Sequence, residues 1–128
     1  MGWLDRLFGK RSREWYTQNR DRLMVEKTKL ELEIKRLIRQ LDSYDKKLIF
    51  ENKKVNSWVV YFKDYDNSSI RKQLENALAS RPLNKTKIEA LKLAYKISEL
   101  LKRVTNLDNG IQKLEEEMKN YGYEFQKA

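Results

Sequence analysis

Three consecutive acidic residues, Glu115, Glu116 and Glu117, form the densest group of side chains in this sequence that could bind a metal ion or exchange protons. At consecutive positions on a helix, however, the three carboxylates point in different directions and do not converge. The chain contains neither His nor Cys, which removes the commonest general base, the commonest transition-metal ligand and thiol chemistry. It also has no glycine-rich phosphate loop and no nucleophile paired with a base. We therefore expect a protein that is not an enzyme and that uses no cofactor, metal ion or small-molecule substrate.

The first eleven residues have the pattern of a short helix that binds a membrane surface. Four large apolar residues would share one side of that helix: Trp3, Leu4, Leu7 and Phe8. Gly9 is placed to end it after about two turns. A helix this short does not form alone in water, but the interface of a bilayer with anionic head groups suits both its apolar and its charged side. We predict that the four apolar residues insert into a membrane. The alternatives are that they pack onto the protein's own helices or that the segment is a disordered tail.

The positive charge of the chain indicates anionic partners. The formal net charge is +9 and the pI is about 9.7, so lipid head groups or nucleic acid are the expected surfaces. Basic residues are in excess in two regions, residues 1–20 and residues 84–105. The second region forms a candidate basic patch: Lys85, Lys87, Lys92, Lys96, Lys102 and Arg103. An ordinary solvated helix face is the alternative interpretation of this patch.

Heptad patterns predict two long helices with a short one between them. The first helix spans about residues 12–62, with Ser12 as its N-cap, because no Pro or Gly interrupts this range. Arg20, Lys27 and Glu51 break its apolar heptad. A short amphipathic helix is predicted at about residues 69–79. A third is predicted at about 85–120, with Asn84 as its N-cap and a weakened stretch, but no break, at residues 109–110.

The predicted fold class is all-α: a short N-terminal amphipathic helix (1–11), then a long antiparallel coiled-coil helical hairpin (12–128) with a small helix in the connection. A rival is a compact helical bundle in which the first long helix breaks near Ser43 or Asn52. In the hairpin, a second apolar stripe lies off the main seam and is expected to stay partly exposed, which favours assembly into an oligomer or polymer. The stripe comprises Leu32, Ile38, Ile49, Tyr61, Ile88, Leu91, Tyr95 and Leu101.

The order of these parts resembles the ESCRT-III and PspA superfamily of membrane-remodelling proteins. Its members commonly open with a Met-Gly amphipathic helix, here residues 1–10, followed by a long basic helix packed against a second. The resemblance implies polymerisation into filaments on membranes, with the four apolar residues inserted. It also implies head-group contacts from four basic residues: Arg6, Lys10, Arg11 and Arg13.

These patterns predict a non-enzymatic, self-assembling helical protein that binds and coats or remodels anionic membranes through its N-terminal segment. No apolar run approaches the length needed to cross a bilayer, so the predicted location is cytoplasmic, peripheral on the inner face of a membrane. Two other functions fit the same sequence. One is a basic helical nucleic-acid-binding or nucleocapsid-like protein. The other is a soluble coiled-coil adaptor or viral structural protein.

Overall fold

A computed structural model describes residues 12–46, 49, 62–63 and 65–122 of the chain. Within these ranges, regular secondary structure consists of helices and includes no strand. Three helices are defined in chain order: α1 at Arg13–Leu41, α2 at Asn67–Ala79 and α3 at Lys85–Asn120. The predicted all-α class is confirmed, because two long helices with a shorter helix between them fit a helical hairpin. The amphipathic helix predicted at residues 1–11 lies outside the described residues.

The prediction of one uninterrupted helix from residue 12 to residue 62 is wrong, because α1 ends at Leu41. The last turn tightens there: Ser43 N–H donates to the carbonyl of Gln40 at 3.2 Å and Tyr44 N–H to that of Leu41 at 3.0 Å. The Ser43 hydroxyl also donates to the Gln40 carbonyl, at 2.6 Å. Ser and Asp favour such local bonds over helix continuation, and residues 42–45 are Asp-Ser-Tyr-Asp. The predicted helical end at residues 57–62 falls outside the described residues except for Phe62, which is helical.

Side-chain caps set the starts of all three helices. Trp15 N–H donates to the Ser12 hydroxyl at 3.2 Å, and Lys87 N–H donates to Asn84 Oδ1 at 3.0 Å. Both predicted N-caps are thereby confirmed. Asp66 caps α2 by accepting from the N–H of Ser69 at 2.7 Å, so this helix begins two residues earlier than predicted. As predicted, α3 continues without a break through residues 109–110.

The chain divides into two compact units, the first of which is Met1–Lys29 with Val104–Ala128. Within its described residues, 12–29 and 104–122, α1 and α3 run antiparallel, because rising residue numbers on one helix meet falling numbers on the other. The paired residues are Tyr16 with Tyr121, Arg20 with Glu115, Leu23 with Gly110, and Lys27 with Asp108. Tyr16, Ile111 and Met118 supply the buried apolar side chains.

The second unit, Leu30–Arg103, contains the end of α1, all of α2 and the start of α3. Its buried apolar residues come from all three helices: Ile34, Leu37, Leu41, Ile70, Ala77, Ile88, Ala90, Leu91, Ala94 and Ile97. Ile88 and Leu91 cluster with Ala77 of α2, and Leu74 packs against them. The expectation that Ile88 and Leu91 stay partly exposed is therefore wrong, because α2 covers this part of the second stripe. Leu32 of the same stripe is 61% exposed, and Tyr61 lies outside the described residues.

A polar network joins the first residue of α2 to α3. Asn67 Nδ2 donates to the Ser98 hydroxyl at 2.8 Å, and that hydroxyl donates to the Tyr95 carbonyl at 2.7 Å. The Tyr95 hydroxyl and the Asn67 amide also hydrogen-bond to the carboxylate of Glu99, and they hold its pKa below its ordinary value. Since Ser98 is buried, these bonds satisfy polar groups that would otherwise destabilise the packing of α2.

Candidate anion-binding surface

The predicted functional residues fall into two groups with respect to the structure. The predicted membrane-inserting residues lie outside the described residues: Trp3, Leu4, Leu7 and Phe8. Three of the predicted head-group contacts also lie outside them: Arg6, Lys10 and Arg11. Arg13 is described and is the exposed first residue of α1. The candidate basic patch of residues 85–103 is fully described and lies on α3 in the second unit.

Four of the six patch residues fall on one line along α3, which we call the basic stripe: Lys85, Lys92, Lys96 and Arg103. At about 100° per residue, these positions lie within about 40° of one another, and at 1.5 Å per residue they extend over about 27 Å. All four side chains are exposed. On the same helix, Leu91, Ala94 and Ile97 are fully buried, and their positions lie on the opposite side. The basic stripe therefore faces solvent because the apolar residues of α3 turn its other side into the core.

The other two patch residues do not belong to this line. At about 100° per residue, Lys102 lies about 100° from the basic stripe, and Lys87 lies on the side that faces the core. Lys87 is accordingly half-buried, whereas Lys102 is exposed. Helical periodicity thus excludes Lys102 and burial excludes Lys87, which reduces the six-residue patch to a four-residue stripe.

Two acidic residues, Glu89 and Glu99, border the basic stripe on opposite sides. Glu89 accepts a long hydrogen bond, 3.5 Å, from the hydroxyl of Tyr44. The Glu99 carboxylate accepts hydrogen bonds from the Tyr95 hydroxyl and the Asn67 amide. Both bonds lower the pKa of Glu99, and the bond from Tyr95 has the larger effect. The hydrogen bond between Tyr95 and Glu99 also raises the pKa of the Tyr95 hydroxyl. Both carboxylates are thus engaged by polar groups at the margins, and the centre of the line carries only positive charge.

The positive charge of the basic stripe also affects a carboxylate on α1. The pKa of Glu33 lies below its ordinary value, mainly because Arg36 donates hydrogen bonds to its carboxylate, with a smaller Coulombic contribution from Lys96. Glu33 forms its ion pair with Arg36 on its own helix. A straight row of cations on a convex helix face suits a flat or extended polyanion better than a small anion held in a cavity.

Glu115, the first of the three consecutive acidic residues, has a structural role. Glu115 Oε1 accepts from Arg20 Nε at 2.8 Å across the first unit, and Lys27 Nζ lies 2.6 Å from Asp108 Oδ1. These pairs explain why Arg20 and Lys27 interrupt the apolar heptad. The sequence contains a signal for these ion pairs: the two cations are seven residues apart on one helix, and the two carboxylates are seven residues apart on the antiparallel helix. Among the described residues, no group of three acidic side chains is placed to hold a metal ion.

The helices of the described ranges do not combine the length and hydropathy required to cross a bilayer. Comparison with known proteins finds no matching protein-family model, no matching curated protein and no matching solved structure.

Proposed function

We propose that this chain is a non-enzymatic helical protein that binds anionic membrane surfaces and self-assembles on them. Residues 1–11 insert their four apolar side chains, and the basic stripe supplies an electrostatic contact. In this proposal the protein coats or remodels the membrane, as the ESCRT-III and PspA superfamily that its sequence resembles does.

The observation that carries the proposal is the basic stripe. Four cations aligned over about 27 Å can contact several lipid head groups at once. Each basic residue near an anionic leaflet contributes about 1 kcal/mol at most, and salt screens part of this contribution. An exposed helix face and a separate amphipathic segment together give the two signals that stable peripheral binding requires.

Self-assembly follows from the weakness of each single contact. Ordering the N-terminal segment costs about 1–2 kcal/mol per residue, which over eleven residues is as large as or larger than the gain of about 1.5–3 kcal/mol from each of the four inserted side chains. Many copies side by side bind firmly where one does not, because each further contact becomes intramolecular. Leu32, exposed in the second unit, is an apolar side chain available for such contacts between copies.

Co-sedimentation with anionic and neutral liposomes tests the proposal, with electron microscopy of the pellets. The stripe variant combines Lys85→Gln, Lys92→Gln, Lys96→Gln and Arg103→Gln. A matched control removes the same charge from scattered, exposed positions: Lys29→Gln, Lys35→Gln, Lys72→Gln and Lys113→Gln. We expect the stripe variant to bind anionic liposomes about thirtyfold more weakly at physiological salt, where screening is taken to halve the four contributions. The control is expected to lose much less.

Substitution in the N-terminal segment provides the second arm. Leu7→Asp is expected to abolish binding, because a carboxylate replaces an inserted apolar side chain. Failure of the full chain to bind anionic liposomes would refute the proposal. Equal losses in the stripe variant and its control would show that net charge alone attracts the protein to lipid.

Nucleic acid is the second candidate partner, and the same stripe favours it, since rows of Lys and Arg also neutralise phosphates. If this is the function, the stripe variant weakens binding to duplex DNA or RNA and reduces its salt dependence, while Leu7→Asp leaves that binding unchanged. The two substitutions therefore separate the two partners.

A further inference from the structure

Three aromatic rings, two from the start of α1 and one from the residue that follows α3, meet at one end of the first unit, and we call this cluster the aromatic end. The rings of Trp15 and Tyr16 are 5.0 Å apart and nearly perpendicular, and those of Tyr16 and Tyr121 are 6.1 Å apart. Tyr16 is fully buried, whereas 37% of Trp15 and 40% of Tyr121 are exposed. The buried ring of Tyr16 thus holds two outer aromatic side chains at the surface of the helix pair.

Trp and Tyr have an apolar ring and a polar tip, and they concentrate at the head-group level of membranes for that reason. An exposed basic residue stands near each of the two outer rings of the aromatic end. Arg13 is two residues before Trp15 and Lys119 is two residues before Tyr121, and both are exposed. Among the described residues, the nearest acidic residues along the chain are Glu14, in the same turn of α1, and Glu117, one turn before Tyr121.

Chain connectivity brings this surface to the membrane in the proposed function. Ser12 caps α1, so the predicted inserting segment ends immediately before the helix begins. Trp15 is four positions after residue 11, and a step of four positions spans at most about 14 Å. When residues 1–11 lie in the interface, Trp15 is therefore close to the head groups, and Tyr121 follows because it packs on Tyr16.

We propose that Trp15 and Tyr121 form an interfacial anchor for an anionic lipid bilayer, with Tyr16 as the buried support that fixes their spacing. This inference rests on the proposed membrane function and adds a second apolar contact to residues 1–11. It also sets which end of the first unit meets the bilayer, because Trp15 lies in the first turn of α1 and Tyr121 directly follows the last residue of α3.

The first test uses a fluorescent probe, since the chain has no native cysteine to compete for labelling. Asn120→Cys places an environment-sensitive fluorophore beside Tyr121. Lys113→Cys, about 10 Å back along α3, is the matched control. Full-length protein is mixed with phosphatidylcholine–phosphatidylserine vesicles, with and without a lipid brominated near the top of its acyl chain. We expect a blue shift and quenching by bromine at position 120, and neither at position 113.

The second test measures affinity. Trp15→Ala and Tyr121→Ala are each expected to weaken vesicle binding about fivefold to tenfold, as partial burial of an aromatic ring implies. Met24→Ala is the control, because Met24 is a similarly exposed apolar residue of the same unit, and it is expected to leave binding unchanged. Circular dichroism of each variant verifies that the helices are retained.

The outcomes separate the anchor from the proposed function. If the unmodified chain binds vesicles but the probe at position 120 stays in water, the anchor is wrong and the proposed function stands. If the unmodified chain does not bind, both fail. A blue shift at position 120 without lipid also counts against the anchor. If this lipid-independent blue shift disappears when Leu7→Asp is also present, residues 1–11 cover the aromatic end. If the blue shift depends on protein concentration, a second copy of the chain covers the aromatic end.

Discussion

Replacing Gly110 by alanine should stabilise the protein, although the glycine lies next to a contact between two helices. Gly110 is inside α3. Among the described residues, a Cβ added to it would meet Leu23 Cδ1 alone, at 3.5 Å, which is an ordinary van der Waals distance. Alanine costs about 0.5–1 kcal/mol less than glycine in a helix interior. The added methyl group also gains partial burial against Leu23. We therefore expect the free energy of unfolding to rise by about 1 kcal/mol.

The expected rise in melting temperature follows from the length of the chain. An unfolding entropy of about 2.1 cal/mol/K per residue, over 128 residues, converts 1 kcal/mol into about 4 °C. Urea and thermal unfolding followed by far-UV circular dichroism measure both quantities.

Gly122→Ala is the matched control for the glycine prediction. Gly122 has a φ of 74°, and a Cβ added there would have no neighbour within 4 Å among the described residues. Alanine at this position therefore loses the left-handed freedom of glycine and gains no such contact. We expect it to lower the stability or leave it unchanged. Destabilisation by Gly110→Ala would refute the reasoning, because it would mean that α1 and α3 approach more closely at Leu23 than the structure shows. Equal stabilisation by both variants would place the effect in the unfolded chain.

Three further predictions concern the second unit. Leu91→Ala should lower the free energy of unfolding by about 2–5 kcal/mol in urea titrations, because Leu91 is fully buried and its truncation leaves a cavity; a loss below about 1 kcal/mol would contradict the packing of α2 on α3. Asn84→Ala should cost about 1 kcal/mol by removing the cap on Lys87 N–H, while Asn84→Asp retains it. The hydrogen bond from Ser69 N–H lowers the pKa of Asp66. This bond therefore stabilises the folded state above the unfolded-state pKa of Asp66, and the stabilisation is lost as pH falls through the folded-state pKa. Unfolding curves below about pH 4 should therefore show a weaker acid dependence for Asp66→Asn, which keeps an acceptor without a titrating group; an unchanged acid dependence would contradict this.

Most helix boundaries can be predicted because their causes are local. Ser12 and Asn84 cap their helices through side-chain oxygens that lie within three residues of the donors, so a short stretch of sequence suffices to identify them. The favoured prediction missed the end of α1 at Leu41 because the apolar heptad continues past it through Tyr44 and Leu48, whereas the rival bundle placed a break near Ser43. Hydrogen bonding by Ser43 overrides that periodicity.

The candidate site can be predicted only in part. Periodicity alone places Lys85, Lys92, Lys96 and Arg103 on one line, but charge counting groups them with Lys87 and Lys102. Helical periodicity separates Lys102 from that line, and the buried side of α3 explains why Lys87 is half-buried. In the sequence, the charged residues Arg20 and Lys27 are interruptions of the heptad, because their partners lie about eighty to ninety-five positions away in the chain and become neighbours only when the helices pair.

The amino-acid sequence alone determines that this chain is helical, where its helices begin and which residues can share a helix face, since these properties depend on interactions within a few residues. Tertiary structure decides which faces are covered. Helix α2 buries Ile88 and Leu91, the partner helix converts Arg20 and Glu115 into an ion pair, and the core leaves the basic stripe in solvent. Burial depends on contacts between residues far apart in sequence, so no local pattern specifies it.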